Sequence, residues 1–444
     1  DPTSSVFTVD NHTWVNNSGD TYVAYLFAHN DGDGEFGPSG DQDIIKCGSY
    51  TGNGGVQSID LGWEPQWLLI KASSTTQDWV IYDNMRGVTD SASDVLFANN
   101  SNAGVYATSH PTRLDPTGFT HMDGRYAVNG SAVTYTYIAI RRGPLAPPES
   151  GTEVFDVDDR TGASGNLGAY RSGFPVDMAF HKVITSALNP YEIGSRLTQG
   201  KRLNTTSTDA ESTASDQQYD YMDGWSTETS SNTTKYSWMW KRAPSFFDVV
   251  AWTAGSSTNR RLSHNLEVTP EFAISKSRSN AGTWWVYHKD LGSDKYINLD
   301  LTSAASTLVG AWPSPTETEF GVRESHYFAS GWTVVTYLFA TLPGVSKVGS
   351  YTGNGSSQTI DCGFTSGARF VLIKRTDSTG DWYVWDTARG IVAGNDPHLS
   401  LNTTAAEVTS DDSIDPDNSG FIVNQVSATN INVSSAEYIF YAIA

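Results

Sequence analysis

Internal repetition constrains this chain more than any other feature. The string Gly48-Ser49-Tyr50-Thr51-Gly52-Asn53-Gly54 recurs as Gly349-Ser350-Tyr351-Thr352-Gly353-Asn354-Gly355. The match runs on through Ile59-Asp60 and Ile360-Asp361, then Leu68-Leu69-Ile70-Lys71 and Val371-Leu372-Ile373-Lys374. It closes with Asp78-Trp79 to Asp83 against Asp381-Trp382 to Asp386, followed by Arg86-Gly87 and Arg389-Gly390. A third copy is more diverged: Phe247-Asp248, His264-Asn265-Leu266, the run 270–276, and Trp284-Trp285-Val286-Tyr287-His288. A fourth is fainter, from Val154-Phe155-Asp156 through 175–181. Each copy ends in hairpin-like text, at 128–142, 229–242, 331–340 and 431–444, and a fifth such ending stands at 15–28. Endings at 28, 142, 242, 340 and 444 set a unit of about 100 residues.

The expected organisation is therefore four repeats, at 44–142, 152–243, 244–341 and 342–444, the second being the diverged one. Residues 1–30 are expected to be the C-terminal hairpin, a strand pair, of an incomplete preceding repeat, which makes the chain read as a fragment or processed piece. Within a unit the periodicity is that of strands. Short aromatic and β-branched runs such as 283–288 and 381–386 are bounded by Gly, Ser and Asp. No dozen residues place apolar side chains three and four apart, so long helices are not expected. The fold class is all-β, a tandem array of antiparallel two-sheet β-sandwiches. Short junctions such as 340–348 suggest adjacent sandwiches docked into a semi-rigid rod. The repeated rings (Trp79, Tyr82; Trp284, Trp285, Tyr287; Trp382, Tyr383, Trp385) are expected to fill cores, with Tyr82 and Trp385 as the out-of-phase candidates for ligand contact.

Charge excludes one class of partner. With 28 basic against 49 acidic residues, formally −21, the chain repels phosphate backbones, and nucleic acid is not expected as a partner. Membrane insertion is not expected either, since the longest apolar runs, such as 438–444, fall far short of a spanning helix. Two cysteines, Cys47 and Cys362, occupy non-equivalent repeat positions and read as small apolar residues, so neither a disulfide framework nor a thiolate zinc site is available. Nine histidines lack ligand spacing.

The one metal candidate is calcium, on the acidic loop 31–43 through Asp31, Asp33, Asp41 and Asp43. Asp31, Asp33 and Glu35 mimic the first ligands of a calcium loop, but Phe36 stands where Gly is required and Gln42 where the bidentate Glu belongs. A solvated acidic linker is the expected reading, and no cofactor is expected. The cluster Asp411, Asp412, Asp415 and Asp417 is a second, lesser candidate. No nucleophile elbow occurs, and no paired carboxylates sit on one strand, so the chain is not expected to be an enzyme. Activity hidden in the diverged repeat would have to use Asp156, Asp158 and Asp159. Asn-x-Ser/Thr sites, among them Asn129 and Asn432, are compatible with a glycosylated secreted protein.

These motifs together, Gly-Ser-Tyr-Thr-Gly-Asn-Gly, the Ile-Lys strand, Asp-Trp with Arg-Gly, and the run Thr21-Tyr22-Val23-Ala24-Tyr25-Leu26-Phe27-Ala28, resemble a repeat domain of tailed-bacteriophage virion proteins. The domain is similar to concanavalin-like (jelly-roll) or laminin-G sandwiches. The resemblance is good over 15–142 and 244–444 and poor over 152–243, where Leu167-Gly168-Ala169-Tyr170 reads as the motif's remnant. It implies a tail fibre or surface fibre at the virion surface, a non-enzymatic component that spaces the particle or attaches it to host surface polysaccharide. Its partners would be other virion proteins or copies of itself. The alternative is a secreted carbohydrate-binding or cell-adhesion protein with lectin-like modules.

Overall fold

The computed structural model describes residues 3, 6–29, 36–86, 88, 93–102, 105–107, 111–159, 170–198, 200–214, 216–227 and 235–444. It is all-β, with four repeated antiparallel sheet pairs. In the first repeat the large sheet runs Ile45–Thr51, Thr134–Arg141, Pro65–Ala72, Trp79–Asp83, Ser93–Phe97, Val105–Ala107, so the repeat's last long strand lies between its first and third. The same order returns in the others, led by Phe155–Asp158, Phe247–Thr253 and Ser346–Thr352. The small sheet has three strands in the first and fourth repeats and two in the second and third. Among the described residues helices are single turns, the longest of four residues. Among the described residues no helix is long and apolar enough to cross a membrane.

Each large sheet packs one face on its own small sheet. Leu68, Ile70, Tyr82, Tyr135 and Phe119 fill this core in the first repeat, and Ile373, Trp385, Tyr438 and Phe421 fill it in the fourth. The repeated glycine motif serves that core. Gly48 and Gly349 pair across the sheet with Tyr137 and Phe440, and a Cβ at either glycine would strike the facing ring. Where the glycine is lost the ring is lost with it: Val250 faces Thr336, and Asp158 faces Ser237. Tyr50 and Tyr351 stack on Tyr135 and Tyr438 at 5.1 and 4.8 Å and donate to the carbonyls of Val128 and Ile431. Asn129 and Asn432 are wholly buried and receive the amides of Asn53 and Asn354 at 3.1 and 2.9 Å. These two Asn-x-Ser sites are thus internal turn braces, out of reach of glycosylation.

Three expectations are corrected. Residues 15–28 do not form a strand pair. Thr13–Asn16 is one helical turn, no strand follows it among the described residues up to 29, and Tyr25 and Leu26 are exposed. The physical reason lies in the sheet order. The equivalent strand, Thr333–Phe339, is hydrogen-bonded between two others, whereas no described strand pairs with 15–28. Second, Tyr170 is no remnant of the glycine motif. It pairs with Trp225 as Ile59 pairs with Phe119, which makes it a small-sheet position, and the motif's first strand survives as Phe155–Asp158. Third, the second, third and fourth repeats do not line up as a rod. They close around a common centre.

Candidate functional site: the shared centre of three repeats

The outer faces of three large sheets meet in one apolar cluster. The second repeat gives Phe180, Trp238 and Trp240, the third Phe272, Tyr337 and Phe339, the fourth Phe370, Leu372 and Tyr441. Rings touch across two of the three junctions: Phe155 with Phe370 at 5.2 Å, and Phe339 with Tyr441 at 5.1 Å. Such contacts are worth about 0.5–1.5 kcal/mol each beyond simple burial. Strands buried on both faces read as continuous apolar runs. Accordingly Phe272–Ser277 is buried at every position, as is Phe370–Arg375 up to its last residue.

One polar device repeats around this centre. Lys182, Lys276 and Lys374 are equivalent by register and almost completely buried. Lys276 Nζ donates to the carbonyls of Thr208 and Asp209 in the second repeat at 3.2 and 2.8 Å. Lys374 Nζ donates to Thr302 O in the third at 2.9 Å, and Lys182 Nζ to Thr404 O in the fourth at 3.1 Å. Burial pushes all three ammonium groups down to about 8. Backbone bonds follow the same circuit: Glu211 N to Arg278 O, Ala305 N to Thr376 O, Glu407 N to Ile184 O, at 2.7–2.9 Å. Trp284 and Trp382 add indole bonds to Asn204 O and Asn298 O at 3.0 and 2.8 Å. Each repeat gives to one neighbour and receives from the other, so the contact is heterologous and closes after three units.

The first repeat attaches to this ring at one end through buried charge. Arg242 holds Glu64 with both terminal nitrogens at 2.8 and 2.6 Å and Asp248 through Nε at 2.6 Å, while Arg142 stands within 3.4 Å of Glu64. Burial would lift the Asp248 carboxyl, but the Arg242 and Arg142 guanidiniums outweigh it and hold the group below its usual range. All four side chains are at most 8% exposed, so loss of one partner strands a desolvated charge.

Open clefts lie at the sandwich edges. One of about 240 Å³ faces the first and third repeats and carries Asp60, Arg113, Asp115, Arg260 and Arg261. Another of about 450 Å³ lies between the third and fourth, with Lys289, Asp290, Lys347 and Asp361. Several of their charged side chains are held within their own repeat: Arg113 by Asp115 at 2.6 Å, Arg261 by Ser314 O at 2.6 Å, and Lys289 by Glu271 at 2.8 Å.

The residues singled out from sequence fall as follows. Asp31, Asp33 and Glu35 lie outside the described residues, while Asp41 and Asp43 flank Gln42, which bridges to Phe36. Among the described residues no group of three or more His, Cys, Asp or Glu is placed to hold a metal. In the 411–417 cluster the carboxylates are taken up by local side chains: Asp411 accepts from Ser413, Asp412 and Asp415 from Asn424, Asp417 from Ser419. Asp156 pairs with Arg369 at 2.9 Å and Asp158 accepts the Arg171 amide, so the two are engaged separately. Tyr82 and Trp385 are fully buried in their own sandwiches and contact no ligand surface, whereas Trp79 is 41% exposed. Cys47 and Cys362 are free thiols, the latter buried.

Sequence reasoning missed the lysine circuit. Its signal was present, a charged residue ending each apolar strand at 71, 182, 276 and 374, but only the cross-repeat contacts show that it marks a junction. The Glu64–Arg242–Asp248 cluster had no comparable signal, because its members come from three different repeats.

No curated protein matches the chain. The family described as Domain of unknown function (DUF7483) matches over residues 1–144 and 150–444. With nearly every residue covered, the chain belongs to that family.

Proposed function

We propose that this protein is a non-enzymatic structural and adhesive component of a phage virion, a tail fibre or surface fibre that spaces the particle or attaches it to host surface glycans. The observation that carries the reading is the use made of the chemically expressive side chains. The aromatics of the shared centre, the buried lysines and the Arg–carboxylate cluster all join sandwich to sandwich, which suits a rigid protein that bears load and displays loops. The motif resemblance supplies the virion context. Polar edge clefts such as that of Arg113, Arg260 and Arg261 are the sugar-contact candidates, since several weak sites on one rigid body add through effective concentration.

The test has two arms. Gold-labelled antibody against this chain should decorate the fibres or surface of purified particles of the encoding phage, and a glycan array should give weak binding that Arg260→Ala with Arg261→Ala reduces. Glycan binding by a chain absent from particles would favour the secreted-lectin alternative. Cleavage of the polysaccharide by the purified chain would overturn the non-enzymatic reading.

A further inference from the structure

The first repeat carries the same outer sheet face as the three ring members, and among the described residues no other repeat buries it. By register Trp67 and Leu69 correspond to Phe370 and Leu372, Trp79 and Ile81 to Trp382 and Val384, Ile138 and Ile140 to Tyr441 and Ile443. The fourth-repeat set is buried to 4% exposure or less. In the first repeat Trp79 is exposed, the other five are half-buried, and Pro65–Ala72 and Thr134–Arg141 alternate in burial like strands of a one-sided sheet. Their composition is that of a sheet covered on both sides: Trp67-Leu68-Leu69-Ile70 is apolar on both faces.

The latch is half-built as well. Lys71 occupies the position of Lys182, Lys276 and Lys374, and like Lys374, which donates to Gly380 O, it donates within its own repeat, to Gln77 O. The receiving loop is already shaped. Asn99 accepts the Trp79 amide at 2.8 Å and donates to Asp78 at 2.8 Å, as Asn402 does for Trp382 and Asp381 at 2.9 and 2.7 Å. Counting from this register, Ser101 holds the place of Thr208, Thr302 and Thr404, whose carbonyls receive a neighbour's lysine.

We propose that three copies of this chain associate through their first repeats, closing the same cyclic contact that the other three repeats close within one chain. Lys71 of each copy would reach Ser101 O of the next, and Trp79 would enter the shared apolar centre. Three is the number because the rotation between neighbouring ring repeats closes at three, and the first repeat has the same giving and receiving sides. The half-buried apolar face, with Trp79 exposed on it, is thereby accounted for. This inference stands whether or not the protein belongs to a virion.

Light scattering on the full chain across a dilution series tests it. The expected particle has three times the 48.2 kDa chain mass and dissociates to monomer on dilution. Leu69→Asp should give monomer at every concentration. Because Leu69→Asp could unfold its repeat, Trp79→Lys, at an already exposed position, should do the same with an unchanged circular dichroism spectrum. A wild-type chain that stays monomeric, whether its face is bare or covered by residues 13–28, overturns the proposal. So does a dimer, or a trimer indifferent to both substitutions.

Discussion

The first and fourth repeats carry nearly the same sequence motifs, yet the same residues do different work in each. In the fourth, Asp386 and Arg389 are at most 1% exposed in their side chains, because Trp238 of the second repeat donates to Asp386 at 2.8 Å and lies under the guanidinium at 5.2 Å. In the first, the equivalent pair Asp83 and Arg86 keeps 20–26% exposure. An ion pair of identical spacing is a structural joint in one place and a half-solvated surface feature in the other. Burial, set by the neighbouring repeat, makes the difference.

Substitution of that arginine should break the symmetry most strongly. Arg389→Ala is expected to cost about 3–5 kcal/mol by leaving Asp386 buried without its partner, whereas Arg86→Ala should cost about 1 kcal/mol or less. Urea denaturation of both variants reads the contrast, and equal losses would refute it. The lysines come next. Lys374→Met strips the Thr302 and Gly380 carbonyls of a charged donor inside the ring, an expected loss of about 2–3 kcal/mol. Lys71→Met in the dilute monomer should change stability by no more than about 0.5 kcal/mol.

Acidity sharpens the comparison from the other side. His121 is buried in the first repeat between Tyr50 and Thr112, and burial depresses its pKa to about 3. Below its ordinary value near 6.5, the unfolded chain takes up a proton that the folded chain refuses. Stability from this residue is therefore full above that value and declines as the pH falls toward 3. Between pH 7 and 5 the loss should be about 2 kcal/mol. The third and fourth repeats carry Val322 and Val423 at the equivalent position, so His121→Val should remove this part of the pH dependence in thermal melts. The smallest effect concerns the glycine motif. Gly48→Val should cost about 1–2 kcal/mol through collision with the Tyr137 ring, and adding Tyr137→Thr should recover part of it by copying the Val250–Thr336 pair. A double variant no better than the single would show that the pairing is incidental.

Much of the fold was legible because repetition and strand periodicity are local signals. The copy of Gly48 to Gly54 at 349–355 and the alternating runs at 283–288 and 381–386 suffice to place strands and count sandwiches. The arrangement of repeats was not legible. A short junction such as 340–348 permits a rod or a ring, and what selects the ring is the match of Trp238, Phe272 and Tyr441 faces far apart in sequence. The aromatic stripe misled for the same reason. Alternation tells that Trp382 and Trp385 point to opposite sides, but both sides are interiors, so neither is a contact surface. At 15–28 the text of a strand was present, but no described strand pairs with it.

Native-state acetylation of lysines, read by mass spectrometry on the intact chain, tests the closed three-repeat ring most directly. Lys182, Lys276 and Lys374 are almost completely buried, each ammonium donating to a carbonyl of the neighbouring repeat. The ring predicts that all three stay unmodified until the chain unfolds, while exposed Lys295 reacts at once. Labelling of the three as fast as Lys295 in the folded protein would contradict it.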